Sequence, residues 1–295
     1  MMAGVLVIGV AVVDFVFAVD TLPRQPSKYR AQTAEIVGGG CAANAAVAIA
    51  RLGGQAVLGA RLGDDAIGDM IVEDLGREGV DCALVQRTPG ARSSFSSVYV
   101  DNAGERQIMN FRGQGLTPET GWISQAPRMG AVLADTRWSD GAKRALALAA
   151  EWRVPGIVDA EAPMDPAALV GASHVAFSGD GLLDFTGETR IEAGLIAADT
   201  YLPGWVCVTD GAAGTFHLKD GRIVQTPPPQ ISVRDTLAAG DVWHGAFALA
   251  LAEGRDEETA IRFANITAAL KCTTLGGRAG CPSRATVDNL MKEDG

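Results

Sequence analysis

The segment Ile231-Ser-Val-Arg-Asp-Thr-Leu-Ala-Ala-Gly-Asp-Val-Trp-His-Gly-Ala-Phe247 decides which fold and which chemistry the sequence predicts. Ala238, Ala239 and Gly240 are small enough for another molecule to approach the backbone closely. The run that follows, through Ala252, is apolar nearly all round, which predicts a buried helix. The first N–H groups of such a helix have no partner within it, and they attract anions, phosphate above all.

A carboxylate stands at the opening of this predicted helix. Asp241 is placed to accept a proton from a substrate hydroxyl, beside a loop that can receive phosphate oxygens. These are two of the parts that a phosphoryl-transfer site requires. The alternative is an ordinary N-cap aspartate on a core helix, and an isolated segment of this kind would favour that interpretation.

The composition excludes several classes of protein. The 295 residues are 47% hydrophobic and include 36 glycines, which suits one large α/β domain. A net charge of −10 without a basic run argues against nucleic-acid binding and favours a metabolic enzyme of the cytoplasm. Five cysteines without a C-x-x-C pair, and three dispersed histidines, predict neither a disulfide framework nor a zinc site.

The N-terminal apolar run differs from a targeting or membrane segment. Residues 5–19 have no basic stretch before them, are interrupted by Asp14, and are too short to cross a bilayer. They predict a buried strand over 5–12, a second extended piece after Asp14, and no membrane contact. The chain also lacks the Walker, dinucleotide-binding and serine-hydrolase motifs.

Apolar strand-like runs and helical segments alternate along most of the chain. Such alternation predicts a mostly parallel sheet with helices on both faces. The predicted strands of this sheet are 5–12, 56–62, 131–135, 156–159, 174–177 and 204–209. A hairpin predicted over 93–112, with a turn at 101–104, falls outside the alternation and indicates a separate small sheet.

Polar and small residues follow the first two predicted strands. Asp14 lies just past the strand 5–12, at the end where open α/β sheets bind ligands. The glycines of Gly38-Gly-Gly-Cys-Ala-Ala-Asn44 allow close approach to a ligand, and Asn44 can both donate to and accept from a hydroxyl. A solvated turn aspartate and a linker-like glycine run remain the alternative interpretations.

Taken in order, these segments resemble the ribokinase-like (PfkB) carbohydrate kinases over nearly the whole chain. The resemblance is carried by Gly38–Asn44, Thr209-Asp-Gly-Ala-Ala-Gly214 and Asp235-Thr-Leu-Ala-Ala-Gly-Asp241. It implies a three-layer α/β sandwich with a small β-sheet lid, ATP with Mg²⁺ as phosphoryl donor, and a homodimer formed through the lid. Residues 1–13, 36–90 and 113–295 would form the large domain, and 14–35 and 91–112 the lid.

The resemblance also implies roles for individual residues. Asp241 would be the base, and the backbone of Ala238, Ala239 and Gly240 would receive the phosphoryl charge. The sugar would contact Asp14, Gly39, Gly40, Asn44 and Asp241, and ATP would contact Thr209, Gly211, Gly214, Asn265, Ala239 and Gly240. A monovalent cation such as K⁺ would be held near Asp235, Leu237 and Gly277.

The sequence departs from the family pattern in two places. Ala238 stands where most members have glycine, which is costly if the backbone there needs a positive φ. Ser178-Gly-Asp-Gly181 replaces an N-x-x-E motif that supports Mg²⁺ and phosphate, and Asp180 is the candidate substitute. The departures leave open a different class of protein, a sugar or nucleotide sensor without turnover.

Within the family, the chain is most similar to the sulfofructose kinases. The shared segments are Lys28-Tyr29, Asn110, 132–138, 268–272 and 276–280. The resemblance predicts a 6-deoxy-6-sulfofructose 1-kinase in which Lys28, Asn110 and Arg137 grip the sulfonate. Alternatively, Arg137 pairs with Asp135 or Asp140, and the substrate is fructose, 2-keto-3-deoxygluconate or a ribose-like sugar.

Overall fold

Strands and helices alternate along the computed structural model, which describes residues 3–293. The strands are β1 (Gly4–Ile8), β2 (Val12–Ala18), β3 (Thr33–Gly39), β4 (Gln55–Gly59), β5 (Arg61–Gly63), β6 (Gln86–Thr88), β7 (Phe95–Val100), β8 (Arg106–Phe111), β9 (Ala131–Asp135), β10 (Gly156–Ala160), β11 (His174–Ser178), β12 (Trp205–Thr209), β13 (Thr215–Lys219) and β14 (Arg222–Thr226). The helices are α1 (Cys41–Arg51), α2 (Ala66–Arg77), α3 (Ser139–Trp152), α4 (Gly179–Thr186), α5 (Ile191–Tyr201), α6 (Ala239–Ala252), α7 (Glu257–Cys272) and α8 (Arg284–Glu293). Within the described range, every helix is too short or too polar to cross a bilayer.

The central sheet has eight strands in the order β14-β13-β12-β11-β10-β9-β1-β4. The six strands from β12 to β4 pair in parallel, and β13 and β14 complete the sheet as an antiparallel edge. Parallel neighbours need crossover connections, which the intervening helices supply. The predicted mostly parallel sheet with flanking helices is therefore confirmed.

Alternate side chains of the central strands are buried on opposite faces of the sheet. In β1, Val5 and Val7 pack in a cluster with α1, α6 and α7, whereas Leu6 and Ile8 pack with α3. A strand covered on both faces has no solvent-facing position, which explains its unbroken apolar sequence.

A second, four-stranded sheet has the order β3-β2-β7-β8. The pair β7–β8 is the predicted hairpin, and β2 lies antiparallel to β3 and parallel to β7. In this register Asp14 lies opposite Ser96, which lies opposite Asn110. The small separate sheet predicted around the hairpin is thus present, and it carries three polar residues across neighbouring strands.

Two predicted strands are wrong in extent. The predicted strand 5–12 ends at Ile8, because the buried Asp135 carboxylate accepts the Val10 N–H at 2.7 Å and draws the chain out of the sheet. Asp14 therefore lies inside β2 of the second sheet. The predicted strand 56–62 divides into β4 and β5, which belong to different sheets.

Helix α6 is buried along its length between α1, α7 and the sheet. Its close contact with α1 depends on Gly245, because a Cβ at that position would lie 2.5 Å from the carbonyl oxygen of Ala45. Small residues at this crossing let the two helices carry their first turns to the same end of the sheet.

We expect Gly245→Ala to lower the free energy of unfolding by about 1–3 kcal/mol, because the new methyl group would push α6 away from the α1 backbone. Gly76→Ala on α2 is the matched control, since a Cβ there meets no atom within 4 Å. The control should be neutral or stabilising by roughly 0.5–1 kcal/mol. Urea denaturation measures both changes, and equal effects in the two variants would contradict the packing explanation.

Candidate active site

Two clefts meet at the start of α6. The larger, about 600 Å³ in volume, is bounded by the end of β12, the loop before α6, and α7. The smaller, about 360 Å³, lies between that loop, α1 and the second sheet. Thr236, Ala239 and Gly240 line both clefts, so two bound molecules would meet there.

The smaller cleft brings together residues predicted to bind substrate. Asp14 reaches it from β2, Gly39 and Gly40 from the junction of β3 and α1, and Asn44 from the first turn of α1. Asp241 lies in the same cleft. The cleft therefore combines hydrogen-bonding side chains with exposed backbone, as a small polyhydroxy ligand requires.

Asp241 is buried and joined to α1. Its Oδ2 accepts a hydrogen bond from Nδ2 of Asn44 at 2.7 Å. Burial raises the pKa of Asp241, the Asn44 bond opposes this, and the negative charges of Glu161 and Asp135 add to the rise. A carboxylate with a raised pKa is a stronger base than an exposed one, so Asp241 suits proton abstraction.

Further acidic groups lie close to Asp241. Asp159 is 4% exposed, and its Oδ1 accepts no hydrogen bond from residues 3–293. Burial and the charge of Asp241 raise the pKa of Asp159 well above its ordinary value. Ligand atoms of Cys41, Asp159 and Asp241 lie within 4.8 Å of one another. Mg²⁺ prefers oxygen to sulfur, so the buried carboxylates fit this ion and the thiol does not.

The larger cleft contains the residues predicted to bind nucleotide, namely Thr209, Gly211, Gly214 and Asn265. Both ends of the Asn265 amide are bonded to protein. Its Oδ1 accepts from Thr215 Oγ1 and Trp243 Nε1, each at 2.7 Å, and its Nδ2 donates to the Thr226 carbonyl at 2.7 Å. Asn265 therefore shapes the wall of the cleft by fixing its neighbours.

Two residues of the smaller cleft were missed in the sequence. Arg278 is 5% exposed and pairs with Asp74, while its Nη1 has no hydrogen-bond partner in the described part of the chain. Its signal was an arginine inside the glycine-rich segment 276–280. Glu161 also lines the cleft, and its position just past β10 could have indicated it by the strand-end rule used for Asp14.

Comparison with known proteins identifies the family. The model of the pfkB family of carbohydrate kinases matches residues 2–284. The chain belongs to this family. Family members transfer a phosphoryl group to a sugar hydroxyl, so the chain is a sugar kinase.

Several family members are similar over their full length. A ribokinase of Bacillus subtilis is 28% identical over 297 residues, covering 98% of this chain and 100% of its own. A fructokinase of Vibrio alginolyticus is 28% identical over 83% of this chain and 89% of its own. The crystal structure of a presumed ribokinase from Agrobacterium tumefaciens is 35% identical, with a TM-score of 0.89 and coverage of 99% and 98%. The three-layer ribokinase-like fold is thereby confirmed.

The pfkB departure at Ala238 has a structural cost. Ala238 precedes the first turn of α6 with φ 62° and ψ 15°, in the left-handed region. It offers no side-chain cap, so the Gly240 N–H is left for a ligand, whereas the Ala239 N–H donates to the Thr236 carbonyl at 3.1 Å. The alanine therefore adopts a left-handed backbone conformation at an energetic penalty.

The second pfkB departure, at 178–181, also has a structural reason. A Cβ at Gly181 would overlap the carbonyl oxygen of Ala160, so glutamate cannot fit at this position. Ser178 instead caps α4 by accepting the Gly181 N–H at 3.0 Å. Asp180, the candidate substitute, is exposed and lines neither cleft. The structure does not bring it to the site.

The three residues predicted to grip a sulfonate do not converge on one point. Arg137 pairs with Glu161 at 2.7 Å, and its guanidinium does not take Asp135 or Asp140 as the predicted alternative partner. Asn110 donates to Ser96 Oγ at 3.1 Å within the second sheet. Lys28 is exposed and lines a separate cavity of about 530 Å³ between Val19 and Arg30.

The structure brings together Asp235, Leu237 and Gly277, the predicted ligands of a cation. Leu237 and Gly277, however, contact Asp235 through their backbone N–H groups. The carboxylate of Asp235 accepts hydrogen bonds from the backbone of Leu237 at 2.9 Å and Gly277 at 3.2 Å. Arg106 of β8 lies 3.3 Å from the same carboxylate. Asp235 is therefore surrounded by donors of the chain itself.

Replacing Ala238 with glycine should raise the free energy of unfolding by about 1 kcal/mol, because glycine adopts a positive φ without the steric cost of a Cβ. Ala239→Gly is the matched control, since Ala239 is helical and glycine there should lower stability by up to about 1 kcal/mol. Thermal or urea unfolding of both variants tests this. A destabilised Ala238→Gly would contradict the proposed strain.

The dependence of kcat/KM on pH should shift on its acid side when Glu161 is replaced by neutral glutamine. Asp241 accepts a proton only as the carboxylate, so kcat/KM should rise as pH increases through its raised pKa. Glu161→Gln removes a charge that raises this pKa, so the rise should move to lower pH. Glu151→Gln, on α3, is the control and should leave the profile in place. An unmoved limb in Glu161→Gln would contradict the electrostatic explanation.

Proposed function

We propose that this sugar kinase transfers the γ-phosphoryl group of MgATP to the C1 hydroxyl of 6-deoxy-6-sulfofructose. One observation supports phosphoryl transfer at this point: the two clefts share Ala239 and Gly240, which lie next to Asp241. A sugar in the smaller cleft and a triphosphate in the larger would place hydroxyl and γ-phosphate together at this point.

The side chain of Asp241 and the backbone of the first turn of α6 would have different roles in the reaction. Asp241 takes the proton from the attacking hydroxyl, and the N–H groups of Gly240 and Asp241 stabilise charge on the transferring phosphoryl oxygens. The Ala239 N–H would have to exchange its bond to the Thr236 carbonyl for one to the ligand. The positive end of the α6 dipole acts in the same direction. Mg²⁺, for which the buried carboxylate of Asp159 is the candidate ligand, would neutralise charge on the ATP phosphates.

ATP as the donor is supported by relatives of the same fold. An Arabidopsis thaliana ribokinase was solved complexed with ribose and ATP, at 24% identity, a TM-score of 0.87 and 99% coverage of both chains. A Cryptococcus neoformans ribokinase was solved with ADP. The larger cleft of this chain is lined by neither Asp14 nor Asn44, so a nucleotide there would leave those two residues to the sugar.

An anionic sugar is supported by guanidinium groups at the smaller cleft. Arg278 lines it with a buried Nη1 that lacks a partner among the residues described. Arg137 reaches its edge through Glu161, and Asn110 reaches it through Ser96 and β2. Lys28 lies in the loop between β2 and β3, at a separate cavity, and this loop would have to move for Lys28 to join them. Together with the shared sequence segments, these groups favour a sulfonate.

A neutral sugar is the second candidate. Arg137 and Arg278 are each already paired with a carboxylate, which leaves less positive charge for a substrate. The relatives named above act on ribose and fructose, whose hydroxyls Asp14 and Asn44 could bind. This candidate needs no rearrangement of the observed ion pairs.

The proposal also includes assembly and location. The second sheet exposes Ile36, Ile108 and Met109, which are 58%, 61% and 75% accessible. Apolar side chains grouped on one sheet support a homodimer in which each lid covers the other. A metabolic kinase without an apolar anchor in the described residues would act in the cytoplasm.

Arg137→Ala separates the two substrate candidates. Turnover of sulfofructose should fall roughly 10- to 150-fold, the effect of losing a charged hydrogen bond of about 1.5–3 kcal/mol, whereas fructose or ribose turnover should change less than about threefold. A coupled assay of ADP release, run with sulfofructose, fructose, ketodeoxygluconate and ribose as separate substrates, measures these changes.

Two further variants control the comparison. Arg144→Ala, an α3 arginine that pairs with Glu151, should leave every substrate unaffected. Asp241→Asn should bind ATP without turnover of any sugar. Equal losses on anionic and neutral sugars would remove Arg137 from substrate recognition, and phosphorylation by Asp241→Asn would remove Asp241 as the base.

A further inference from the structure

Lys271 has a position that the sugar-kinase chemistry leaves unexplained. It lies in the last turn of α7, and its side chain is 0% exposed. Lysine is almost never fully buried unless an acceptor holds its ammonium group, because removing a charge from water is costly. The surroundings of the ammonium group must therefore compensate that cost.

The ammonium group of Lys271 contacts Asp235 twice. Nζ donates to the backbone carbonyl of Asp235 at 2.8 Å and lies 3.7 Å from its carboxylate Oδ2. Burial lowers the pKa of Lys271, and the negative charge of Asp235 opposes that change. The two charges form a buried pair directly beside the loop that leads into α6.

Asp235 in turn fixes that loop. Its carboxylate accepts backbone N–H groups from Leu237 on one side and from Gly276 and Gly277 on the other. The Lys271 ammonium adds a bond to the main chain at residue 235 itself. Residues 235–241 are thus tied to the segment after α7, and a shift of this tie would displace the first turn of α6, including the Gly240 N–H that the proposed function assigns to phosphate.

A monovalent cation does not fit beside this pair. K⁺ binds through oxygen atoms, and Lys271 already engages the carbonyl and carboxylate oxygens of Asp235. Leu237 and Gly277 point their backbone N–H groups at the Asp235 carboxylate, and N–H groups repel a cation. An internal ammonium group with the same single charge therefore stands where the K⁺ was predicted.

We propose that Lys271 is a positioning residue that takes the place of a bound monovalent cation, so that phosphoryl transfer needs no K⁺. The proposal rests on the kinase function proposed above. Its ammonium group holds the 235–241 loop in the geometry that receives the transferring phosphoryl group. A covalently attached cation also keeps that geometry at any ionic composition of the medium.

The test compares wild type, Lys271→Ala and Lys271→Met in tetramethylammonium buffer and in KCl. Wild-type kcat should be the same in both. Lys271→Ala should lose roughly 10²-fold in kcat without K⁺, and K⁺ or NH₄⁺ should restore it saturably, because the truncated side chain leaves room beside the Asp235 oxygens. Lys271→Met fills that room without charge, so it should lose activity and show no rescue.

Thermal unfolding gives a readout that is independent of turnover. KCl should raise the Tm of Lys271→Ala in a saturable way, as binding to the folded state requires, and should leave the Tm of wild type and of the surface control Lys143→Ala unchanged. Wild-type dependence on K⁺, or full activity of Lys271→Met, would overturn the proposal and leave the kinase intact. If wild type phosphorylates no sugar, the proposed function fails while the Tm comparison still decides the role of Lys271.

Discussion

The crossing of α1 and α6 determines where every other part of the site can lie. Gly245 and Ala45 let the two helices approach closely, and the approach brings Asn44 within 2.7 Å of Asp241. One helix carries Asn44 into the smaller cleft, and the other carries Asp241, the proposed base, and the turn proposed to bind phosphate. Because both helices begin at the same end of the sheet, the two clefts share a wall, and the reacting groups can meet without either ligand crossing the protein.

The site concentrates negative charge in a buried region. Burial raises the pKa values of Asp241, Asp159 and Asp135. A carboxyl group with a raised folded pKa binds its proton more tightly in the folded state, so stability falls as pH rises from the ordinary carboxyl value to the folded one. The fold gives up stability at neutral pH, and the proposed base, Asp241, gains proton affinity. Positive charge is found instead at Asp235, where Lys271 and Arg106 pair with the carboxylate.

The sequence was sufficient where local pattern and burial agree. The apolar runs of β9 to β12 lie between helices, and the structure has them within one or two residues of the predicted limits. The strand 5–12 could not be limited correctly, because its end depends on Asp135, which is 125 residues from Val10. The ion-pair partner of Arg137 could not be predicted from the sequence either. It is Glu161, which follows the neighbouring strand β10 and is 24 residues away in the chain. Lys271 reads in sequence as an ordinary basic residue of a last helical turn, and only its burial and its contact with Asp235 separate it from one.

The fit of Gly181 against β10 bears on how this chain can change over evolutionary time. Any side chain at 181 would overlap the carbonyl oxygen of Ala160, so no single substitution there can introduce a carboxylate. The spacing between β10 and α4 would have to widen first, and that widening alone would bring no benefit. A new carboxylate near the clefts must therefore come from other positions of the chain, and Asp159 of β10 already supplies one.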